Sequence, residues 1–119
     1  MTTSNRHIRV EEQGDASVVT FVDFDLLDHL VINEVRDELV QLVAAKKPRL
    51  LVVSFNNVRR CSTAVVSGLL STKKVVSQHG GEMRLCNMSE AIREAYRLLR
   101  LDGNVFPIYN TLSEAMADA

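Results

Sequence analysis

The sequence predicts a small single-domain α/β fold, a mixed sheet of about five strands with four helices packed against it. Three observations carry this expectation. Short apolar or alternating runs, the pattern of strands, recur near residues 8–13, 17–22, 50–54, 82–86 and 105–108. Between the later runs, apolar residues fall three and four apart, the spacing of amphipathic helices. Gly, Pro and Asn cluster at the junctions, where they break regular structure. After an opening hairpin, strands and helices alternate, which implies right-handed crossovers and parallel strands.

Residues 1–6 are polar and read as a frayed tail. Ile8 and Val10 alternate weakly up to Gln13, Gly14-Asp15 is a hairpin dipeptide, and Ser17 to Val22 supplies the returning strand. Asp23-Phe24-Asp25 ends that strand. From Leu27, apolar residues recur at Ile32, Val35, Leu39 and Leu42, predicting a helix that runs to about Ala45. Asp28 is placed to cap it, and an acid there also suits the helix dipole. Lys46-Lys47 and Pro48 stop it.

Leu50 to Val53 is an apolar run short enough for a buried strand, and Asn56-Asn57 turns the chain after it. Val65, Leu69 and Val76, with Val66 and Leu70 beside them, then follow helical spacing as far as Gly80-Gly81. Gly68 within this helix costs ~1 kcal/mol relative to Ala, which points to close approach by a neighbouring helix. Glu82 to Cys86 forms the next strand, with Met83 and Leu85 on one side. Ser89 caps a third helix whose inner face is Ile92, Ala95, Tyr96 and Leu99. Asp102-Gly103 breaks it, and Val105 to Tyr109 is a short strand that Pro107 assigns to an edge. Thr111 caps a last helix, with Glu114 completing a capping box.

Composition narrows the function classes. Apolar residues make up 46% of the 119 and charged residues 24%, the balance of a globular domain. A formal net charge of −1 gives no field attracting nucleic acid or an anionic membrane, and an aromatic content of 5% without Trp gives no base-stacking surface. No apolar run approaches the ~20 residues of a transmembrane helix, and the N-terminus lacks the apolar core of a signal peptide. Cys61 and Cys86 are too few for a zinc pattern and read as reduced thiols of a cytoplasmic protein. His7, His29 and His79 are scattered over different elements, which argues against a metal site. No Gly-rich phosphate loop is present, and no cofactor is expected.

The residues that could carry chemistry lie between the central strand and the second helix: Cys61-Ser62-Thr63, preceded by Arg59-Arg60. Ser62 suits an N-cap, worth ~1 kcal/mol. Thr63 follows it at a position where Thr is tolerated without any function, so a structural and a functional role both stay open. A helix N-terminus lowers a thiol pKa, but Cys61 has no His–acid pair nearby in sequence and reads better as packing. The two arginines could meet a phosphate, although adjacent side chains tend to point apart.

The chain as a whole resembles the STAS domain, the fold of bacterial anti-sigma factor antagonists. Three stretches carry the resemblance: Leu27-Asp28-His29 opening the first helix; the strand Leu50–Phe55 with its Asn-Val, hydroxyl-bearing loop and apolar helix; and Gly80-Gly-Glu-Met-Arg-Leu-Cys86 through to Phe106-Pro-Ile-Tyr109. In that family the loop usually reads Asp-Ser-Ser-Gly, and the Ser after the Asp accepts phosphate from a partner kinase. Here Ser62 stands at the Asp, Thr63 at the acceptor, and Ala64 and Val65 at the following Ser and Gly. Some stressosome-type members resemble this more closely, with a Thr acceptor and no Ser-Gly after it.

The resemblance implies a non-enzymatic interaction module in signalling and transcriptional control, switched by phosphorylation of Thr63. Asp28, Asn57, Arg59, Ser62 and Thr63 would form the surface that meets an anti-sigma factor with serine/threonine kinase activity, or other STAS proteins. Self-association stays open. Two alternatives accompany this expectation: an unphosphorylated scaffold subunit of a stressosome-like complex, and a small enzyme with Cys61 or Thr63 as nucleophile.

Overall fold

The computed structural model describes residues 6–117. The expected frayed tail, residues 1–6, lies outside them except for Arg6, whose backbone N–H donates to Glu38 at 3.2 Å. In chain order the elements are β1 (Ile8–Gln13), β2 (Ala16–Phe21), β3 (Asp25–Leu26), α1 (His29–Lys46), β4 (Leu50–Ser54), β5 (Arg60–Cys61) and α2 (Ala64–Gln78), then β6 (Glu82–Cys86), α3 (Glu90–Leu98), β7 (Ile108–Tyr109) and α4 (Leu112–Met116). Five strands form one sheet in the order β1-β2-β4-β6-β7. β1 and β2 are antiparallel and the other pairs parallel, so the expected mixed sheet with four helices is what forms.

Alternation along the strands divides the core in two. Val19 and Phe21, Leu51 and Val53, and Met83 and Leu85 face α1, α2 and α3, whose Val35, Leu39, Leu69 and Tyr96 fill the same cluster. Val18, Leu50, Val52 and Cys86 face the other way, where α4 covers them with Ala115. The first cluster is much the larger, and it fixes how α1 and α2 lie. Their crossing is close because Gly68 has no side chain: a Cβ there would stand 3.1 Å from Arg36 Cβ. Gly81 is more tightly constrained, since a Cβ would meet Pro48 O at 2.6 Å.

Several boundaries differ from the sequence reading, each for a local reason. α1 begins at His29, because Asp28 as N-cap leaves Leu27 outside the helix and exposed. On its inner face Val43 is buried and Leu42 only half-buried. Leu99 does not join the inner face of α3; it is 48% exposed, at the helix end. Arg100 turns the chain with φ +60°, and Leu101 packs back on the core in its place. The last strand is only Ile108–Tyr109, because the N–H groups of Val105 and Phe106 are already spent on Leu101 O. Pro107, which has no N–H to give, accepts from Leu85 through its carbonyl at the sheet edge. Two short strands, β3 and β5, had no counterpart in the sequence reading, and they organise the site.

Candidate functional site

β3 and β5 pair in parallel outside the main sheet, with Asp25 opposite Arg60 and Leu26 opposite Cys61. Backbone bonds extend the pairing: Phe24 O accepts from Arg59 N–H at 2.7 Å, and Leu26 O accepts from Ser62 N–H at 2.8 Å. Each short strand leads straight into a helix, β3 into α1 and β5 into α2. The 24–28 and 59–63 segments therefore carry two helix N-termini to one end of the molecule. Such termini present unpaired N–H groups and the positive end of the helix dipole.

The side chains hold this arrangement. Asn57 Nδ2 donates to Phe21 O at 3.0 Å, tying the turn after β4 to the end of β2. Arg60 grips Asp25 with two bonds, 3.1 and 3.0 Å, which lowers the Asp25 pKa and raises that of Arg60. Both groups lie open to water, so the pair contributes orientation more than stability. Arg59 turns away from it and lies over the Phe24 ring, 4.9 Å from the centroid. Asp28 accepts from the N–H groups of Leu30 (2.8 Å) and Val31 (3.3 Å), the cap expected from sequence.

The start of α2 differs from the expectation that Ser62 is its N-cap. The helix opens at Ala64, and Thr63 holds the cap position with near-helical backbone, φ −63° and ψ −16°, and no side-chain cap bond. Ser62 nonetheless does the capping from one residue further out: its Oγ accepts from Ala64 N–H at 3.1 Å. The division leaves the Thr63 hydroxyl exposed and without a hydrogen bond among the described residues.

Cys61 does not suit the role of nucleophile. Burial pushes its thiol pKa up to about 12, so the thiolate is scarce at neutral pH. Its side chain faces a cleft of about 290 Å³ between α3 and the Arg59–Thr63 segment, lined also by Leu27, Ile92, Ala95 and Tyr96. Tyr96 had been read from sequence only as an inner-face residue of the third helix. Its Oη is buried with no partner among the described residues, something no periodicity reveals.

His7, weighed in the sequence only as a metal ligand, is instead a clamp. Its Nδ1 meets Asp23 at 2.8 Å and its Nε2 meets Glu34 at 2.9 Å, while its backbone N–H donates to Glu38 at 3.0 Å. Burial opposes a charge on this ring, but the bonds to Glu34 and Asp23 and the charges of Asp23 and Glu38 outweigh it and raise its pKa. Asp23, so held, anchors the segment that enters β3. His29 and His79 stand elsewhere. Among the described residues no group of three or more His, Cys, Asp or Glu is arranged to hold a metal ion.

Comparison with known proteins identifies the family and the fold. A model of the STAS domain matches residues 7–115, and the chain belongs to that family. It is similar to an anti-sigma F factor antagonist of Paenibacillus polymyxa, 26% identical over 94 residues that cover 77% of this chain and 78% of the relative. Among solved structures it superposes on an anti-sigma factor antagonist from Mycobacterium paratuberculosis with a TM-score of 0.78 at 22% identity, covering 97% of this chain and 95% of the other. The Bacillus cell fate determinant SpoIIAA in its phosphorylated form matches with a TM-score of 0.67 at 17% identity, covering 91% and 95%. Among the described residues no helix is long and apolar enough to cross a membrane.

Proposed function

We propose that the chain is an anti-sigma factor antagonist: an interaction module that binds a serine/threonine kinase acting as anti-sigma factor, and whose binding is switched by phosphorylation of Thr63. The observation that carries this reading is the Thr63 hydroxyl, exposed at the N-terminus of α2 and used by no hydrogen bond of the fold. Ser62 does the capping, so a modified Thr63 costs the helix nothing it relies on. With it, Asp28, Asn57, Arg59 and Ser62 would make up the docking surface, on segments that the β3–β5 pair holds in register. A partner supplies ATP and catalysis; this chain supplies the hydroxyl and the surface. A relative of the same fold described in a phosphorylated form fits this reading.

One observation favours the scaffold alternative. With Ser62 where the family carries an acid, no carboxylate adjoins Thr63 in sequence, and a kinase that needs that acid would leave Thr63 unmodified. Intact-mass analysis after incubation with the cognate kinase and ATP separates the two. The switch requires the mass of one phosphate on the wild type and none on Thr63→Ala. An unmodified wild type, with the kinase active on its own control substrate, leaves the scaffold reading.

A further inference from the structure

β1 ends the five-strand order of the main sheet and pairs only with β2 among the described residues. Its register, with the bond from Val22 N–H to His7 O, fixes which of its backbone groups are used. Bonded and non-bonded positions alternate along an antiparallel pair, so Arg9, Glu11 and Gln13 bond to β2. Ile8, Val10 and Glu12 turn their N–H and C=O groups out of the sheet, where they meet no partner among the described residues. A free edge of this kind is a template for another strand. Neither a bulge nor a Pro interrupts it between Ile8 and Gln13.

The side chains select which strand fits. Ile8 and Val10 pack on the core under α1, which leaves Arg9 and Glu11 together on the opposite face. Both are exposed there, on the wall of an open cleft of about 670 Å³ shared with Thr20 and Val22. Arg9 has no ion pair among the described residues, and Glu11 has only the Gln13 amide at 3.4 Å. Two copies of β1 laid antiparallel about a two-fold axis at Val10 set each Arg9 directly opposite the other copy's Glu11. That pair falls at a non-hydrogen-bonded position, where facing side chains come closest. Opposite Ile8 falls Glu12, whose carboxylate is drawn back to Ser17 Oγ at 2.9 Å. Centring the pair one residue either way sets Arg9 against Arg9 or Glu11 against Glu11, so the charges choose one register.

We propose that a second copy of this chain docks on β1, making a two-fold dimer with one sheet running through both copies. The contact uses neither Thr63 nor the start of α2, so it stands or falls apart from the phosphorylation reading.

Sedimentation equilibrium at low salt, up to about 1 mM protein, tests it without any kinase. The wild-type mass should rise with concentration towards that of a dimer. Arg9→Glu and Glu11→Arg should each associate about tenfold more weakly, because like charges then face each other. An equimolar mixture of these two variants should associate as the wild type does, since one strand is then acidic and the other basic at both positions. Val10→Pro removes an outward N–H at the two-fold axis, leaves the β1–β2 ladder whole, and should keep the protein monomeric. The proposal is overturned by a wild type that stays monomeric over the whole range, or by either charge variant associating as the wild type does. A mixture that fails to regain the association its parts have lost also overturns it, as does a dimer of Val10→Pro, since the copies would then meet elsewhere.

Discussion

His7 and Tyr96 are both almost fully buried, both carry a polar group, and both adjoin the segments that present Thr63, yet the fold treats them in opposite ways. The two ring nitrogens of His7 each meet a carboxylate, and its backbone N–H meets a third. Tyr96 Oη meets nothing among the described residues. A buried polar group that is fully paired can specify where segments lie, because breaking one bond strands its partner as well. A buried polar group left alone costs stability and specifies nothing. His7 thus belongs to the framework, joining β1, α1 and the approach to β3. The hydroxyl of Tyr96 ties no segment to another among the described residues.

The apolar floor beneath both regions sets the largest effect. Leu69 is fully buried in the cluster that α2 shares with Phe55, Tyr96 and the sheet. Leu69→Ala should destabilise by ~2–5 kcal/mol, through lost transfer energy and a residual cavity. Denaturant melts read this directly, and a loss below about 0.5 kcal/mol would mean that α2 does not rest on the sheet through this residue.

Breaking the paired side of the comparison comes next. His7→Phe keeps an aromatic ring, slightly larger than the imidazole, but removes the bonds to Asp23 and Glu34, and should cost about 1.5–3 kcal/mol, the range for hydrogen bonds to charged groups. Tyr96→Phe should cost nothing or stabilise, because it removes a group with no bond to lose. The His7 clamp should also show in the pH dependence. Its folded pKa is raised above the ordinary 6.5, so the stability it contributes is complete below the unfolded value and is lost as pH rises through the folded one. The stability gap between wild type and His7→Phe should therefore narrow as pH rises from about 6 to 8. A gap that stays constant or widens would show that His7 is not held as the cation.

The same contrast marks what the sequence could reveal. The five-strand sheet was legible because Leu50–Val53 is an apolar run, Met83 and Leu85 alternate along the next strand, and Gly14, Gly80 and Pro107 punctuate the chain between them. The caps at Asp28, Ser89 and Thr111 were legible because capping is local chemistry. β3 and β5 were not legible: two residues carry no periodicity, and their pairing joins segments some thirty-five residues apart. The role of His7 was hidden for the same reason, since its partners Asp23 and Glu34 lie far away in sequence. Leu99 misled because helical spacing continues through it although the helix ends at Leu98 and the chain turns at Arg100 just after.

Thr63 carries the smallest expected effect on stability and the largest on binding. A phosphate adds roughly −1.5 to −2 charges at pH 7, at a helix end whose unpaired N–H groups and dipole favour an anion. Since Ser62 provides the cap and the Thr63 hydroxyl makes no hydrogen bond among the described residues, no side-chain bond of the fold is lost. Thr63→Glu should therefore leave stability within about 0.5 kcal/mol of wild type, as for an exposed surface change. Its effect should fall on the interface, where a surface matched to a neutral hydroxyl would have to bury a charge against the partner. Thr63→Glu should weaken binding to the kinase, although one carboxylate imitates a phosphate only in part. Thr63→Ala should bind like wild type but fail to be released when ATP is added. Calorimetric titration of the three proteins against the kinase, with a melt of each, reads both halves. If Thr63→Glu binds as wild type does, or loses binding only because it unfolds, phosphorylation at this position is not the switch, and Thr63 and Ser62 do no more than open a helix.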